Sequence, residues 1–439
     1  MRGRSGYAEQ ARQTFLRVDT GCMTDAFPPT SALRPSVRLP APAWPAALLV
    51  LVAGCAGDAD VVPPPEVIDP FADLDGVEPA VASDATDPAD SDHSDDNVQD
   101  DADEADDAGG TGDTSPEVNG GADEGEGEGG DAGYVACFAS IGSQTGVVPD
   151  IAQFAPRVGS HCAGTNHQDI TGIERVVFLG DSVTVGTPPT IAAETYRARL
   201  AQQLASHFDL DAPSGLWERY DTFDGTALVA QSGDFWSCAR WGARNHDLLT
   251  DDRQVDACFP ADQRHKKTLV IMTVGGNDIA HFTKMGIEGA PLDEISAYVD
   301  GAAAELESAI RTLKDPTLFP AGNAVVFANP PEFTDGTGDV GSCPTASLGG
   351  YGNNWEDPIA QARLVVRLLE TYVRVAVQTQ SDLVFFLENF CGHGFRNDDP
   401  SAACYRGPDA ERWFDLTCTH PNPAGHAELA RLFFDVVQE

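Results

Sequence analysis

Three polar residues stand at places where a chain of this kind could do chemistry. The stretch "VVFLGDSVTVG", Val176 to Gly186, runs apolar residues into Gly-Asp-Ser and ends on Ser182. "VGGNDI" carries Asn277 directly after a second apolar run, and "DLTCTHPNPAGH" sets His420 just ahead of a terminal helical pattern. A serine hydroxyl is a poor nucleophile until a base takes its proton, and histidine is the side chain tuned for that task near neutral pH. The tetrahedral intermediate of acyl transfer carries charge on oxygen, which preorganised N–H donors stabilise. Each residue also has a plainer reading: Ser182 as a helix-capping turn residue, Asn277 as a turn former. The other histidines near these blocks, His246, His281 and His393, read as polar surface or loop residues.

The elements that must hold these residues are legible as alternating patterns. "RVVFLG" (Arg175–Gly180), "TLVIMTVGG" (Thr268–Gly276), "NAVVFANP" (Asn323–Pro330) and "DLVFFLEN" (Asp382–Asn389) are short continuous apolar runs ending at Gly, Pro or Asn. They fit strands buried on both faces of a parallel sheet. Helical spacing appears over Pro189–Phe208, Pro291–Leu313, Asp357–Gln378 and the final "NPAGHAELARLFFDVVQ", with Leu364, Leu368 and Tyr372 on one stripe. Repeated strand-then-helix units predict right-handed crossovers and a doubly wound, mostly parallel sheet in an α/β fold. Sites in such sheets lie beyond the carboxyl ends of the strands. Ser182 and Asn277 follow two strands at that edge, so with His420 they converge from three distant places.

Together the blocks "FLGDSVTVG", "ARWGARNHDLL", "VGGNDI" and "DLTCTHPNPAGH" resemble those of the SGNH, or GDSL-type, hydrolases, in the family's own order. The resemblance spans about Arg175 to Glu439. It implies a three-layer α/β/α, flavodoxin-like sandwich with an exposed site and serine esterase or lipase chemistry without a cofactor or metal. By motif position Ser182 is the nucleophile and His420 its base. The Ser182 N–H, the Gly242 N–H and the Asn277 side chain are the implied oxyanion donors. The stretch is not the G-x-S-x-G elbow of the α/β-hydrolase fold, because Thr184 stands where the second Gly belongs.

Three departures from the family pattern bear on mechanism. Val183 replaces the Leu of the GDSL string, and Arg244 and His246 replace small residues of the second block. The third is larger: the common D-x-x-H pattern puts an Asp three residues before the His, and here that position is Thr417. A base needs its second ring nitrogen hydrogen-bonded to fix the tautomer. Asp415, five residues before His420, is the sole acid of the block and the expected third triad member. The alternative is a Ser-His dyad, as in some secreted actinobacterial-type relatives, with the Thr417 carbonyl as acceptor beside a bridged Cys418.

The remaining text concerns export. Arg34 and Arg38 precede the apolar run "AWPAALLVLVAGC", Ala43 to Cys55, too short to span a bilayer but suited to a signal sequence. Its ending resembles a bacterial lipobox, which implies lipidation of Cys55; ordinary secretion is the alternative. Residues 1–55 are thus read as an extension plus signal, with Met23 a candidate start. Residues 56–133 hold 26 acidic residues and no Lys or Arg, and are too poor in large apolar residues to fold. They read as an extended tether, since neither "DLDGVE" nor "DADEADD" meets the spacing of a calcium loop.

Residues 134–439 form the expected catalytic domain, a monomer anchored to a membrane only through its lipid. The formal net charge of −42 argues against nucleic acid as a partner. Eight of the ten cysteines lie in this domain, an even number that suggests disulfides in an exported protein. Short-range closure favours Cys137–Cys162, Cys238–Cys258 and Cys391–Cys404, leaving Cys343–Cys418. Zinc is disfavoured because no C-x₂-C pair exists. The expected substrate is a carboxylic ester: a small molecule, a lipid or an acylated carbohydrate. A non-catalytic surface-binding lipoprotein on the same fold is the rival reading.

Overall fold

The computed structural model describes residues 129–349, 351 and 353–439. The signal-like segment, Met23, Cys55 and the acidic stretch as far as residue 128 lie outside the described residues. Eight strands occur among the described residues: β1 (Arg175–Gly180), β2 (Tyr220–Asp221), β3 (Thr226–Ala227), β4 (Gln231–Ser232), β5 (Phe235–Ser237), β6 (Thr268–Thr273), β7 (Asn323–Ala328) and β8 (Asp382–Val384). Six of them form one sheet in the order β4-β5-β1-β6-β7-β8, and β2 and β3 make a separate hairpin. From β5 to β8 every pairing is parallel; β4 alone runs antiparallel to its neighbour. Taken in chain order, the parallel strands stand second, first, third, fourth, fifth, the doubly wound order whose crevice opens beside the first strand.

Ten α-helices occur among the described residues: α1 (Gly129–Phe138), α2 (Ser182–Val185), α3 (Tyr196–Phe208), α4 (Gly215–Glu218), α5 (Gln254–Cys258), α6 (Gly276–Ile287), α7 (Leu292–Leu313), α8 (Pro358–Thr379), α9 (Phe386–Phe390) and α10 (Pro423–Gln438). Every residue of β1, β6 and β7 is buried, because helices cover both faces of the sheet. The two-residue period of a strand divides the core. Val176 and Phe178 pack with Leu200, Trp217 and Phe433 under α3 and α10, while Val177 and Leu179 pack with Val299, Leu306 and Leu368 under α7 and α8. Fully buried side chains such as Leu306, Ile310 and Leu313 each contribute about 1.5–3 kcal/mol relative to exposure. The result is the three-layer α/β/α sandwich expected from the alternating patterns.

Local signals set several boundaries. Asp357 caps α8 by accepting the N–H groups of Ile359 and Ala360, with Pro358 at the first helical position, and Asn422 and Pro423 open α10 in the same way. Two sequence-based boundaries need correction. The run Asp382–Asn389 is a strand only to Val384, after which α9 takes over. Phe386 and Phe390, four apart, then stack edge to face at 4.4 Å inside the core, a contact that strand geometry would forbid. The helix expected from Pro189 begins at Tyr196, because Thr195 caps it by accepting the Ala198 N–H.

The eight cysteines form Cys137–Cys162, Cys238–Cys258, Cys343–Cys418 and Cys391–Cys404, with Cα separations of 5.3–5.8 Å. This is the connectivity expected from short-range closure. The helix α1 crosses the expected domain boundary at Tyr134. Its Tyr134 hydroxyl donates to Glu388, and Cys137 ties it to the domain. Among the described residues no helix is long and apolar enough to cross a membrane.

Candidate active site

The site lies at the carboxyl ends of three adjacent strands, β5, β1 and β6. Gly180, the last residue of β1, has φ +114°, and a Cβ there would lie 1.8 Å from the Thr273 carbonyl oxygen of β6. Only glycine lets the chain turn so sharply against its neighbour and deliver Asp181 and Ser182 to the sheet edge. Asp181 then caps α2: its Oδ1 accepts the Val183 N–H at 3.0 Å and the Thr273 hydroxyl at 2.9 Å. Thr184 bonds both Thr273 and the Tyr196 hydroxyl, so a buried polar chain braces the turn from below. Burial raises the Asp181 carboxyl to about 7, against these hydrogen bonds, which favour its ionised form.

The expected nucleophile and base come from opposite ends of the domain sequence. Ser182 Oγ lies 2.7 Å from His420 Nε2 across a sequence separation of 238. Both residues are half-buried, and desolvation of the imidazole lowers His420 to about 4. The ring is therefore neutral and carries one proton. Its Nδ1 lies 2.6 Å from the Thr417 side-chain oxygen. Thr417 Oγ1 in turn lies 2.5 Å from Asp415 Oδ1, which also accepts the Thr417 backbone N–H at 2.7 Å.

This differs from both expected orienters. The Asp415 carboxylate does not touch the imidazole but stands one hydroxyl away, and what fills the gap is the Thr417 side chain, not its carbonyl. A carboxylate at 415 is spent on closing the turn to Thr417, while a side chain at 417 lies three residues before His420 and reaches its ring. The departure from D-x-x-H at Thr417 was the signal.

The other two expected oxyanion donors follow the strands that flank β1: Gly242 comes after β5, and Asn277 lies at the start of α6 after β6. Among the described residues, no protein acceptor takes the backbone N–H of Ser182 or of Gly242. Gly242 is exposed with φ +78°, and a Cβ there would meet nothing within 4 Å; its glycine is explained by backbone conformation and not by crowding. One N–H of the Asn277 amide donates to the Ala243 carbonyl at 2.9 Å, which leaves the second free. The loop carrying Gly242 is further pinned where the Asn245 N–H donates to Asp278 Oδ2 at 3.0 Å and Asn245 Nδ2 donates to the Ala302 carbonyl of α7. Trp241 Nε1 donates to the Gly186 carbonyl, which ties the same loop to the end of α2. Sequence reasoning passed over Asp278, Asn245 and Trp241; their only signal was adjacency to the named blocks.

The two polar departures in the second block diverge. Arg244 turns toward α6, with Nη2 3.3 Å from His281 Nδ1. His246 pairs instead with Asp247 and Asp251, at 3.4 and 3.2 Å. His393 stacks on Trp413 and bonds the Glu411 carbonyl. None of these histidines contacts Ser182.

A family model described as GDSL-like lipase/acylhydrolase matches residues 176–433. Among solved structures the chain is similar to a gut microbial diltiazem-metabolizing enzyme, at 13% identity over 62% of this chain and 48% of that one, with a TM-score of 0.36. The chain thus spans about half the length of that protein. It is similar also to Est24, a carbohydrate acetylesterase from Sinorhizobium meliloti, at 15% identity over 60% of this chain and 98% of that one, with a TM-score of 0.34. A third is a member of the lipolytic protein G-D-S-L family from Veillonella parvula, at 12% identity, coverage of 61% and 99%, and a TM-score of 0.31. No curated protein matches the chain.

Proposed function

The chain belongs to the GDSL-like lipase/acylhydrolase family, and from that premise we propose that it is an exported serine esterase working through an acyl-enzyme. Ser182 Oγ attacks the ester carbonyl while His420 Nε2 takes its proton. The resulting oxyanion accepts hydrogen bonds from the Ser182 and Gly242 N–H groups and the free N–H of Asn277. Collapse breaks the bond to the alcohol oxygen, and His420 returns the proton to that leaving group. Water, deprotonated by the same histidine, then hydrolyses the acyl-serine and regenerates the hydroxyl. The observation that carries this reading is the 2.7 Å contact between Ser182 Oγ and a neutral His420.

The test is labelling by a fluorophosphonate, with turnover of acetyl, butyryl and long-chain p-nitrophenyl esters and an acetylated glycan. Ser182→Ala should eliminate both labelling and turnover in a protein that melts normally. Retention of more than a few per cent of activity would remove Ser182 from the nucleophile's role.

Four disulfides support an oxidising compartment. With the lipobox-like "LVAGC", they support a lipid anchor at Cys55 with residues 56–133 as its tether. Cys55→Ala should move the protein from the membrane fraction to the soluble fraction. Unchanged membrane association would rule the anchor out.

A further inference from the structure

Once the His420 tautomer is set, the direction of each bond linking Ser182, His420, Thr417 and Asp415 follows. A neutral imidazole has one N–H and one lone pair. If Nε2 is to take the Ser182 proton across 2.7 Å, its lone pair must face the serine, so the ring proton sits on Nδ1. The Nδ1–H then has one partner within reach, Thr417 Oγ1 at 2.6 Å. A hydroxyl that accepts there still has its own proton to place, and Asp415 Oδ1 lies 2.5 Å away with no proton to offer when ionised. From these contacts we infer that Thr417 is the positioning residue of the centre: its hydroxyl relays the orienting effect of Asp415 to His420, in place of a carboxylate bonded directly to the ring. The inference rests on the serine-esterase reading, which requires the Nε2 lone pair to face Ser182; the His420 ring resonances test that tautomer separately from turnover.

The surroundings hold this relay in one arrangement. Cys418 adopts a left-handed backbone, φ +73°, which costs a non-glycine residue of order 1 kcal/mol or more. The Cys343–Cys418 bridge secures it, and the Thr345 hydroxyl donates to the Leu416 carbonyl from the same partner segment. The Asp415 N–H donates to the His420 carbonyl at 2.9 Å, and the Cys418 N–H to the Asp415 carbonyl at 3.2 Å, so the turn closes on both sides of Thr417. A threonine that merely capped this turn would need only its bond to Asp415. The second contact, to the imidazole, is what a turn does not require. Donation to a carboxylate polarises the hydroxyl and makes its oxygen a better acceptor for Nδ1–H. It also keeps the full negative charge one group away from the ring. Burial correspondingly leaves His420 below the usual imidazole range, with no carboxylate contact to raise it.

The test uses the whole protein with Thr417→Val and Thr417→Ser, read by ester kinetics and by ¹⁵N resonances of His420. In the wild type, His420 should carry its proton on Nδ1, with Nε2 unprotonated. Thr417→Val should lower kcat about 10²-fold with KM within about threefold, short of the ~10⁴ loss known when a directly bonded triad carboxylate is neutralised. The same variant should lose the single tautomer, and Thr417→Ser should restore both readouts. A wild-type ring protonated on Nε2, or a folded Thr417→Val variant with unchanged kcat and unchanged ring resonances, would overturn the relay. If Thr417→Val fails to fold, the wild-type tautomer and the serine variant still decide. If the wild type turns over no ester, the esterase reading fails while the resonances continue to judge the relay.

Discussion

At the scale of single residues, the proposed oxyanion donors are the parts whose worth can be measured most directly. Asn277 sits at the start of α6 with one amide N–H given to Ala243 and the other unspent. A donor that acts mainly in the transition state affects kcat and leaves KM nearly alone. Asn277→Ala should therefore lower kcat by about 10²–10³ with KM changed less than threefold; a variant altered only in KM would make Asn277 a substrate-binding residue. Ser182, Asn277 and His420 were legible in the sequence because each ends or precedes a strongly patterned element. Gly242 was legible through the block resemblance alone, since a left-handed turn has no periodicity. Thr417 was not read as a side-chain ligand, because a hydroxyl bridging an acid and an imidazole two and three residues away leaves no compositional trace.

At the scale of elements, the loop before α10 illustrates how a short irregular segment is made rigid enough for catalysis. Its shape is held by the bridge to Cys343, 75 residues away in sequence, together with the backbone bonds that close the turn. A native disulfide contributes about 2–4 kcal/mol. The double variant Cys343→Ser, Cys418→Ser should lower Tm by about 5–10 °C. It should also reduce kcat by more than it changes KM, because it loosens the turn that presents Thr417 to His420. Equal kcat in a measurably less stable protein would show that the loop keeps its shape without the bridge. The long elements of the sandwich were readable from pattern: β1, β6, β7, α7, α8 and α10 fall within a few residues of the expected limits. Apart from α6, a 12-residue helix that was not expected, the failures were short. β5 and the hairpin of β2 and β3 have two or three residues each, too few for a period to register. The run at Asp382 changes from strand to α9 without a change in composition, since phenylalanine serves a buried strand and a buried helix equally well.

At the scale of the whole molecule, two sets of buried groups set the response to pH, and their signs oppose. Burial raises Asp181 to about 7 and Asp278 to about 6, so the folded chain keeps protons that the unfolded chain releases near 4. The stability from these groups is complete below the unfolded value and is lost as pH rises through 6 to 7. Burial lowers His426 to about 3 and His420 to about 4, so the unfolded chain takes up protons below about 6.5 that the folded chain refuses. That stability is present above 6.5 and is lost as pH falls. Burial also raises Glu332, Asp335, Asp382, Glu388 and Asp415, so the raised carboxyls outweigh the lowered histidines and Tm should fall as pH rises from about 5 to 7. Over the same range kcat/KM should stay flat and fall to half only near pH 4, where His420 gains its proton. A Tm that rose over that range would mean that the histidines dominate, and a half-point near 6.5 would mean that the histidine is better solvated than the fold implies. The separation of Ser182 from His420 by 238 residues has a consequence in time. At about 5–20 residues per second, the ribosome needs roughly 10–50 s between adding the hydroxyl and adding its base. Throughout that interval the emerging polypeptide holds a serine without its proposed base, so no acyl transfer through this pair can begin until His420 has been added.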